Sequence, residues 1–259
     1  MFINNFDPVA FEILTFEVRW YSLSYIFGII LAWFYIKKFI LDNSQNAKNI
    51  DDLLSYLILG IIIGGRFGYV IFYNLEYYIS KPLEIFMIWT GGMSFHGGVL
   101  GVIVSTYIFC KKRKLSTFYF LDLISLSAPI GIFLGRIANY INSELYGRVS
   151  EVIWAVKFVK IDNLNRHPSQ IYEALLEGVV LFLIMNLILK KHYLIKQGLL
   201  SSYFLILYSI FRFFCEFFRQ PDMHLGFILG IFTLGQMISF IFFLIGLILL
   251  YEKKKPTFR

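Results

Sequence analysis

The chain has 259 residues, of which 58% are hydrophobic and only 16% are charged, and its formal net charge is +7. Soluble domains have about 45–50% apolar and about 25% charged residues, so this composition excludes a soluble enzyme, a disordered segment and a small disulfide scaffold. The two cysteines, Cys110 and Cys215, form no metal-binding motif. We therefore expect no metal and no cofactor. In a membrane protein the positive charge marks cytoplasmic loops, so we expect no nucleic-acid partner.

Seven apolar stretches follow one another along the chain, and each is predicted to form a membrane-spanning helix, since a span needs roughly 20 apolar residues. They are Tyr21–Phe39, Leu53–Tyr73, Phe95–Cys110, Phe118–Ile137, Ile171–Leu189, Leu199–Phe217 and Phe227–Tyr251. The third is short and rich in glycine, and a re-entrant or interfacial segment is expected before it at Leu83–Trp89. The sequence thus predicts an all-α polytopic membrane protein with one domain, residues 1–259.

Basic residues cluster after every second predicted span. Lysine-rich segments follow spans one, three, five and seven, and the connections between them have no such cluster. The positive-inside rule places these segments in the cytoplasm, which predicts an outside N-terminus and a cytoplasmic C-terminus. On the outer side, the long polar stretch Asn139–Gln170 is predicted to form a small extracytoplasmic head with a strand at Val152–Val159.

Arginine is distributed differently from lysine. The four cytoplasmic segments hold 14 of the 24 cations, 12 of them lysine, whereas seven of the other ten cations are arginine. Topology requires only positive charge, while a planar guanidinium suits a carboxylate or a phosphate. Arginine on the outer side is therefore predicted to recognise an anion. The alternative is that these side chains cap helix ends and extend to the interface.

Several polar groups lie at a similar depth in the predicted spans. Arg66 and Arg212 are each 13 residues, and Arg136 is 18 residues, from the cytoplasmic end of their spans; at ~1.5 Å per residue, 13 residues correspond to about 20 Å. His96 begins the third span from the outside. Because polar groups inside a bilayer are costly and usually functional, one site in the outer half is the simplest account.

Small residues recur at every fourth position in these spans, which predicts close helix packing. They are Gly60, Gly64 and Gly68, then Gly97 and Gly101, then Gly131 and Gly135. His96 stands among glycines, and an imidazole can act as a general base near neutral pH, although a lone histidine is more often structural. Ser94 is disfavoured as its nucleophilic partner, since residues i and i+2 do not face each other on a helix.

Two further segments combine arginine with acidic and amide side chains. The run Gly135–Arg148 contains Arg136, Asn139, Asn142 and Glu144, and it suits an anionic, hydroxyl-bearing headgroup; the alternative is a hydrogen-bonded loop that caps the helix.

The run Tyr208–Asp222 contains Arg212, Glu216 and Arg219. Arg212 and Glu216 are spaced to pair, and the spacing leaves a structural salt bridge and a phosphate clamp equally open. Glu173 and Glu177 share one helix face that is expected to face the arginines.

These segments together resemble the bacterial prolipoprotein diacylglyceryl transferases over nearly the whole chain. The resemblance is carried by Arg19–Tyr21, Gly64–Tyr69, Gly91–Gly98, Gly135–Arg148, His167–Glu177, Tyr208–Asp222 and Gly235–Ser239. It implies an enzyme of lipoprotein biosynthesis in the bacterial cytoplasmic (inner) membrane. Such an enzyme moves the diacylglyceryl group of phosphatidylglycerol to the lipobox cysteine thiol of a prolipoprotein and releases glycerol phosphate.

The resemblance and the residues together give a hypothesis for the site. His96 takes the thiol proton, Arg212 held by Glu216 stabilises the departing phosphate, and the other residues bind substrate. The expected catalytic residues are His96, Arg212 and Glu216, and the expected substrate-binding residues are Arg136, Asn139, Glu144, Arg66, Tyr21, Asn142, Gly147 and Arg219.

A transporter or lipid-binding membrane protein with an outward-facing anion site is the competing class, because it also uses glycine-rich helices and embedded arginine. A transport pathway requires polar groups in the inner half as well, where Asp122 is nearly alone. An intramembrane serine protease is a third class, which the spacing of Ser94 and His96 disfavours.

Overall fold

The computed structural model describes residues 2–14, 16–41, 44–192, 196–221 and 231–255. Within these residues the chain forms nine α-helices: α1 (Trp20–Tyr35), α2 (Ser44–Tyr73), α3 (Leu75–Ser80), α4 (Phe95–Arg113), α5 (Thr117–Ile141), α6 (Ser169–Glu173), α7 (Leu181–His192), α8 (Leu199–Cys215) and α9 (Leu234–Lys254). Wider π-helical turns extend α1 through Ile36–Ile40 and join α6 to α7 through Ala174–Val180, and two 3₁₀ segments lie at Pro82–Phe86 and Ile88–Thr90.

In the described chain, five helical segments are long and apolar enough to cross a membrane. They are Trp20–Ile40, Gln45–Tyr73, Thr117–Ile141, Ser169–Lys190 and Leu234–Lys254. Helix α8 is apolar but has only 17 residues. Helix α4 occupies the third predicted span, and three glycines and three basic residues among its 19 residues reduce its apolar character. The molecule is thus a helical multi-pass membrane protein, and these five segments coincide with five of the seven predicted spans.

Helix α9 lies in the seventh predicted span. The predicted start at Phe227 lies outside the described residues, and α9 begins at Leu234 after the N-cap Thr233. The Thr233 hydroxyl accepts from the Gln236 backbone N–H at 3.2 Å, and the Gln236 side chain accepts from the Thr233 N–H at 3.1 Å. This reciprocal capping box fixes the first turn of the helix. The apolar content of the sequence does not by itself show at which residue this helix begins.

Five short strands accompany the helices: β1 (Phe2–Asn4), β2 (Val9–Ile13), β3 (Phe16–Arg19), β4 (Val156–Phe158) and β5 (Asn165–Arg166). Strand β1 runs parallel to β4, which pairs antiparallel with β5, while β2 and β3 form a separate antiparallel hairpin. The strand expected at Val152–Val159 is therefore limited to β4, because Val152 accepts a hydrogen bond from the Ala155 N–H within a turn. Strand β1 was not predicted, and it pairs with a segment more than 150 residues away.

The chain divides into two compact units. The first unit comprises Met1–Tyr35 and Asp122–Arg259, and the second comprises Ile36–Leu121. In the second unit, α2 and α4 pack through glycine: a Cβ on Gly64 would lie 2.8 Å from Gly101 Cα, and one on Gly68 would lie 2.7 Å from Gly97 Cα. This contact confirms the predicted close packing of these two helices. At Gly135, by contrast, a Cβ would meet no described atom within 4 Å, so packing does not require that glycine.

Asp122, which the sequence analysis assigns to the inner half of the membrane, has a structural contact within the first unit. Its carboxylate accepts hydrogen bonds from the Gly198 N–H at 2.6 Å, the Ser201 N–H at 2.7 Å and the Ser201 hydroxyl at 2.6 Å. The first turn of a helix has N–H groups with no partner inside the helix. Asp122 satisfies these groups at the start of α8, so its polarity is accounted for without a transport pathway.

Candidate functional site

Six charged side chains of the first unit meet where α5, α6 and α8 approach one another, and we name them the Arg–Glu cluster. They are Arg136 on α5, Glu173 at the end of α6, Glu177 in the following π-helical turn, Arg212 on α8, and Glu216 and Arg219 just after α8. The side chains of the arginines are between 11% and 14% exposed, and those of Glu173 and Glu177 are 0% exposed. The charges therefore stabilise one another with little contribution from solvent.

Glu173 is the centre of the cluster because all three arginines approach its carboxylate. Its Oε1 lies 2.7 Å from Arg212 Nη1 and 3.6 Å from Arg219 Nη1, and its Oε2 lies 3.0 Å from Arg136 Nη1. The second nitrogen of Arg136, Nη2, lies 3.0 Å from Glu177 Oε2. The expectation that Glu173 and Glu177 face the arginines is confirmed by these contacts.

Arg212 and Glu216 form the pair that their spacing predicts, with Nη2 and Oε2 2.5 Å apart. The other oxygen of Glu216, Oε1, accepts a hydrogen bond from the Thr233 hydroxyl at 2.9 Å. A Cβ on Gly235 would lie 2.8 Å from the carboxyl carbon of Glu216, so the carboxylate occupies the space that a larger side chain would take. The first turn of α9 thus holds Glu216, and through it the Arg212 guanidinium.

Gly147 positions the segment that carries Arg219. It forms an antiparallel bridge with Arg219, and the next residue, Arg148, donates from its backbone N–H to the Phe218 carbonyl at 2.8 Å and from Nε to the Arg219 carbonyl at 3.0 Å. A Cβ on Gly147 would lie 2.8 Å from the Phe218 oxygen and 2.6 Å from His167 Cβ. Glycine is required here by the close approach of three backbone segments, which favours a positioning function over direct substrate contact.

The polar run after α5 forms a tight turn around the Glu144 side chain. Asn139 Nδ2 donates to Glu144 Oε2 at 3.1 Å, and Asn142 Nδ2 donates to Oε1 at 3.2 Å. Ser143 and Leu145, on either side, have positive φ angles of 59° and 55°. Two amides therefore orient an exposed carboxylate in a hydrogen-bonded loop, and the binding of a headgroup by this loop stays a prediction.

Tyr21 lies on α1, in the same unit. Its hydroxyl oxygen is 3.3 Å from that of Tyr25, one turn further along the helix. Electrostatic interactions connect the Tyr21 hydroxyl with Glu144 and Arg136. Tyr21 therefore belongs to the same neighbourhood as the loop after α5.

Arg166 supports the polar loop from outside the membrane-spanning helices. It donates to the Gly147 carbonyl at 3.1 Å, lies over the Tyr146 ring at 4.8 Å from the centroid, and pairs with Asp162 at 2.5 Å. The hydrogen bonds that the Arg166 guanidinium donates to Asp162 lower the pKa of the Asp162 carboxyl. For this arginine the structural alternative applies, and no anion is needed to explain it.

Arg66 and His96 belong to the second unit. Arg66 is 2% exposed and donates to the backbone carbonyls of Glu84 at 2.6 Å, Ile85 at 2.8 Å and Gly92 at 3.3 Å, as well as to Gly91. Its guanidinium thus holds the segment between α3 and α4. This arrangement favours an anchoring function for Arg66 over the direct substrate contact that the sequence analysis expects.

His96 is the second residue of α4 and is half-buried. The preceding Ser94 is the N-cap, because its hydroxyl accepts from the Gly97 N–H at 3.2 Å and its own N–H donates to the Gly65 carbonyl at 2.8 Å. Ser94 is therefore a buried capping residue, which agrees with its rejection as a nucleophile. That His96 acts on the same substrate as the Arg–Glu cluster remains a prediction.

Thr233 was not among the predicted site residues, and no function was predicted for Gly235. The capping-box spacing from Thr233 to Gln236 was the available signal, although it indicates a helix start and does not name Glu216 as the contact.

The fold and the site define a helical multi-pass membrane protein with a buried network of guanidinium and carboxylate groups. The sequence profile of the prolipoprotein diacylglyceryl transferase family matches residues 8–252, and the chain belongs to this family. It is 47% identical over 249 residues to the phosphatidylglycerol–prolipoprotein diacylglyceryl transferase of Rickettsia typhi, covering 95% of this chain and 96% of the relative. For the enzyme of the same name from Ehrlichia ruminantium the identity is 47% over 252 residues, with the same coverages, 95% and 96%.

Proposed function

We propose that this chain transfers the diacylglyceryl group of phosphatidylglycerol to the cysteine thiol of a prolipoprotein. Membership of the family and the names of its relatives support this activity. The observation that carries the chemistry is the convergence of Arg136, Arg212 and Arg219 on Glu173 inside an apolar helical body. Guanidinium groups bind phosphate oxygens in pairs of parallel hydrogen bonds, and this convergence provides several such groups at one place.

The proposed reaction breaks one carbon–oxygen bond and forms one carbon–sulfur bond at the carbon of the diacylglyceryl group that carries the phosphate. The thiol loses its proton to His96, because the thiolate is the nucleophile. The sulfur then forms a bond to that carbon, and the carbon–oxygen bond breaks with its electron pair going to glycerol phosphate. The leaving group gains negative charge, which Arg136 and Arg212 stabilise in an environment that excludes water. The product is a thioether.

The hydroxyl-bearing headgroup has a matching acceptor in the loop after α5. Glu144 presents a carboxylate that Asn139 and Asn142 orient, and a carboxylate accepts hydrogen bonds from hydroxyl groups. Tyr21 supplies a hydroxyl in the same neighbourhood. These groups suit the free glycerol of phosphatidylglycerol, and they distinguish it from headgroups without hydroxyls.

The proposal includes the arrangement in the membrane. In this arrangement the chain has seven spans, an outside N-terminus and a cytoplasmic C-terminus, and the Arg–Glu cluster lies in the outer half of the bacterial cytoplasmic membrane, where a secreted prolipoprotein arrives. The segment 139–170 then forms the extracytoplasmic head of one membrane-embedded domain. The alternation of lysine-rich and lysine-poor connections supports this orientation.

The activity is tested with purified protein in phosphatidylglycerol vesicles and a peptide that contains the lipobox cysteine. The expected result is a mass gain of one diacylglyceryl group on the cysteine, with none on a Cys→Ser peptide. Arg136→Gln should abolish the transfer, whereas Arg19→Gln should retain it, because the Arg19 side chain is 62% exposed and pairs with Glu17, two residues away. No mass gain with the wild-type protein would refute the proposed function.

A further inference from the structure

The Arg–Glu cluster holds three arginines and three glutamates, so its net charge is zero when all six groups are ionised. A phosphodiester carries one negative charge, and its arrival would leave the buried cluster with a net charge of −1. Glu173 and Glu177 have 0% exposed side chains and Glu216 has 6%. Because an uncompensated charge in such a place is strongly unfavourable, binding of the anion requires that one carboxylate be neutralised.

The three carboxylates differ in how well they are stabilised as anions. Both oxygens of Glu173 contact guanidinium nitrogens. Glu216 has Arg212 on one oxygen and the Thr233 hydroxyl on the other. Three buried carboxylate oxygens of the cluster have no hydrogen-bond partner among the described residues: Glu173 Oε2, Glu177 Oε1 and Glu216 Oε2. The oxygens of Glu173 and Glu216 each lie within ion-pair distance of a guanidinium, whereas Glu177 pairs with Arg136 through Oε2, at 3.0 Å, and its Oε1 has no ion pair in the described chain. The anionic form of Glu177 is therefore the least stabilised of the three, and its Oε1 can take a proton.

The charged and titratable groups around Glu177 also favour Glu177 as the carboxylate that becomes protonated. Arg136 faces it from α5, Glu173 lies on its own helical segment, and Tyr208, Arg212 and Cys215 interact with it from α8. If the phosphate takes hydrogen bonds from Arg136, Glu177 loses the only cation among the described residues that contacts it directly. It then faces both the carboxylate of Glu173 and the new anion, and like charges at close range favour the protonated form of one of them.

We propose that Glu177 takes up one proton from solvent when the phosphate of the phospholipid binds Arg136. This inference rests on the proposed function, because it takes a phospholipid phosphate as the ligand. Proton uptake keeps the cluster neutral in the complex, so that the lipid phosphate replaces one carboxylate as the partner of Arg136. Binding that consumes a proton weakens as the pH rises, by about tenfold in Kd per pH unit where Glu177 is ionised in the free protein. A phosphodiester does not titrate near neutral pH, so the ligand itself contributes no such dependence.

The test is isothermal titration calorimetry of the purified full-length protein in detergent with short-chain phosphatidylglycerol as the probe. Titrations at one pH in buffers of different ionisation enthalpy give the number of protons taken up per lipid. We expect about one proton for the wild type and none for Glu177→Gln, whose neutral amide imitates the protonated acid. The matched control is Glu252→Gln, at an exposed glutamate in α9, which should keep the uptake.

The pH dependence of lipid binding distinguishes proton uptake by Glu177 from a purely structural role of this residue. With the proton requirement removed, Glu177→Gln should bind the lipid more tightly than the wild type at pH 8 and with a nearly constant Kd across pH. Lipid binding by the wild type without proton uptake would overturn the inference and leave the proposed function intact, as would uptake that persists in Glu177→Gln. Absence of both lipid binding and transfer in the wild type would refute the proposed function, and the inference with it.

Discussion

Gly235→Ala tests whether the first turn of α9 sets the position of the Arg212–Glu216 ion pair, for which we propose a catalytic function. An alanine Cβ would lie 2.7 Å from Glu216 Oε1, 2.8 Å from its carboxyl carbon and 3.0 Å from Oε2. Ordinary contacts are near 3.5–4.0 Å, so the carboxylate must move by roughly 0.5–1 Å. The movement lengthens the contact of Glu216 with Arg212, which is now 2.5 Å, or its 2.9 Å hydrogen bond with Thr233.

The expected effect is mainly on turnover. A displacement of about 1 Å in a catalytic group can cost about 100-fold in rate, so we expect kcat for diacylglyceryl transfer to fall by about 10- to 100-fold. Alanine is favoured over glycine inside a helix by about 0.5–1 kcal/mol, and this gain offsets part of the steric cost. The melting temperature in detergent should therefore change little while activity is largely lost.

Gly131→Ala is the matched control for this experiment. A Cβ there would meet no described atom within 4 Å, so the variant should keep its activity and gain slightly in stability. Gly235→Ala with wild-type kcat would contradict the argument that α9 holds Glu216. A loss of activity that follows a loss of folded protein in parallel would contradict it as well, because the effect would then be one of folding alone.

Two further predictions concern stability. Asp122→Ala should lower the free energy of unfolding by about 2–4 kcal/mol, because the N–H groups of Gly198 and Ser201 at the start of α8 lose their acceptor. Denaturant unfolding in detergent measures this change, and a change below about 0.5 kcal/mol would refute the prediction. Arg166 lowers the pKa of Asp162, so their interaction stabilises the fold above the ordinary carboxyl pKa of about 4 and is lost as the pH falls through the lower, folded value. Asp162→Asn should therefore be less stable than the wild type at pH 7, with the difference shrinking on acidification, and melting curves that keep a constant difference would contradict the assignment.

The parts of the site that lie within one helix could be predicted from the sequence. Arg212 and Glu216 pair because they are four residues apart on adjacent turns, and Glu173 and Glu177 face the same direction for a similar reason. The glycine contacts of α2 with α4 are another case, since small residues at a spacing of four lie on one face. For the charged pairs the helical repeat determines which residues are neighbours, and for the glycines it determines which face of a helix is small, although not which helix packs against it.

Contacts between distant segments were not predictable in the same way. Thr233 contacts Glu216 across 17 residues, and β1 pairs with β4 more than 150 residues away, and no periodicity reports either contact. Arg66 shows a second limit. Depth and residue type indicate a buried arginine with a function, but they do not distinguish a phosphate ligand from the backbone carbonyls that Arg66 binds here.

The use of arginine with glutamate partners follows from the cost of burying charge. An arginine in an apolar environment without a counter-charge is strongly unfavourable. The arginines of a site that binds an anionic lipid therefore require carboxylate partners while no lipid is bound. Glu173 supplies that partner to three arginines at once, and the arginines are thereby oriented before any phosphate arrives. The same carboxylates compete with the phosphate, which makes affinity depend on how readily one of them is neutralised. Glu177, with one ion pair and one buried oxygen that has neither a hydrogen bond nor an ion pair in the described chain, is the group where that neutralisation is least costly. On this argument, the ion pairs that stabilise the free enzyme also determine the affinity for the lipid and its dependence on pH.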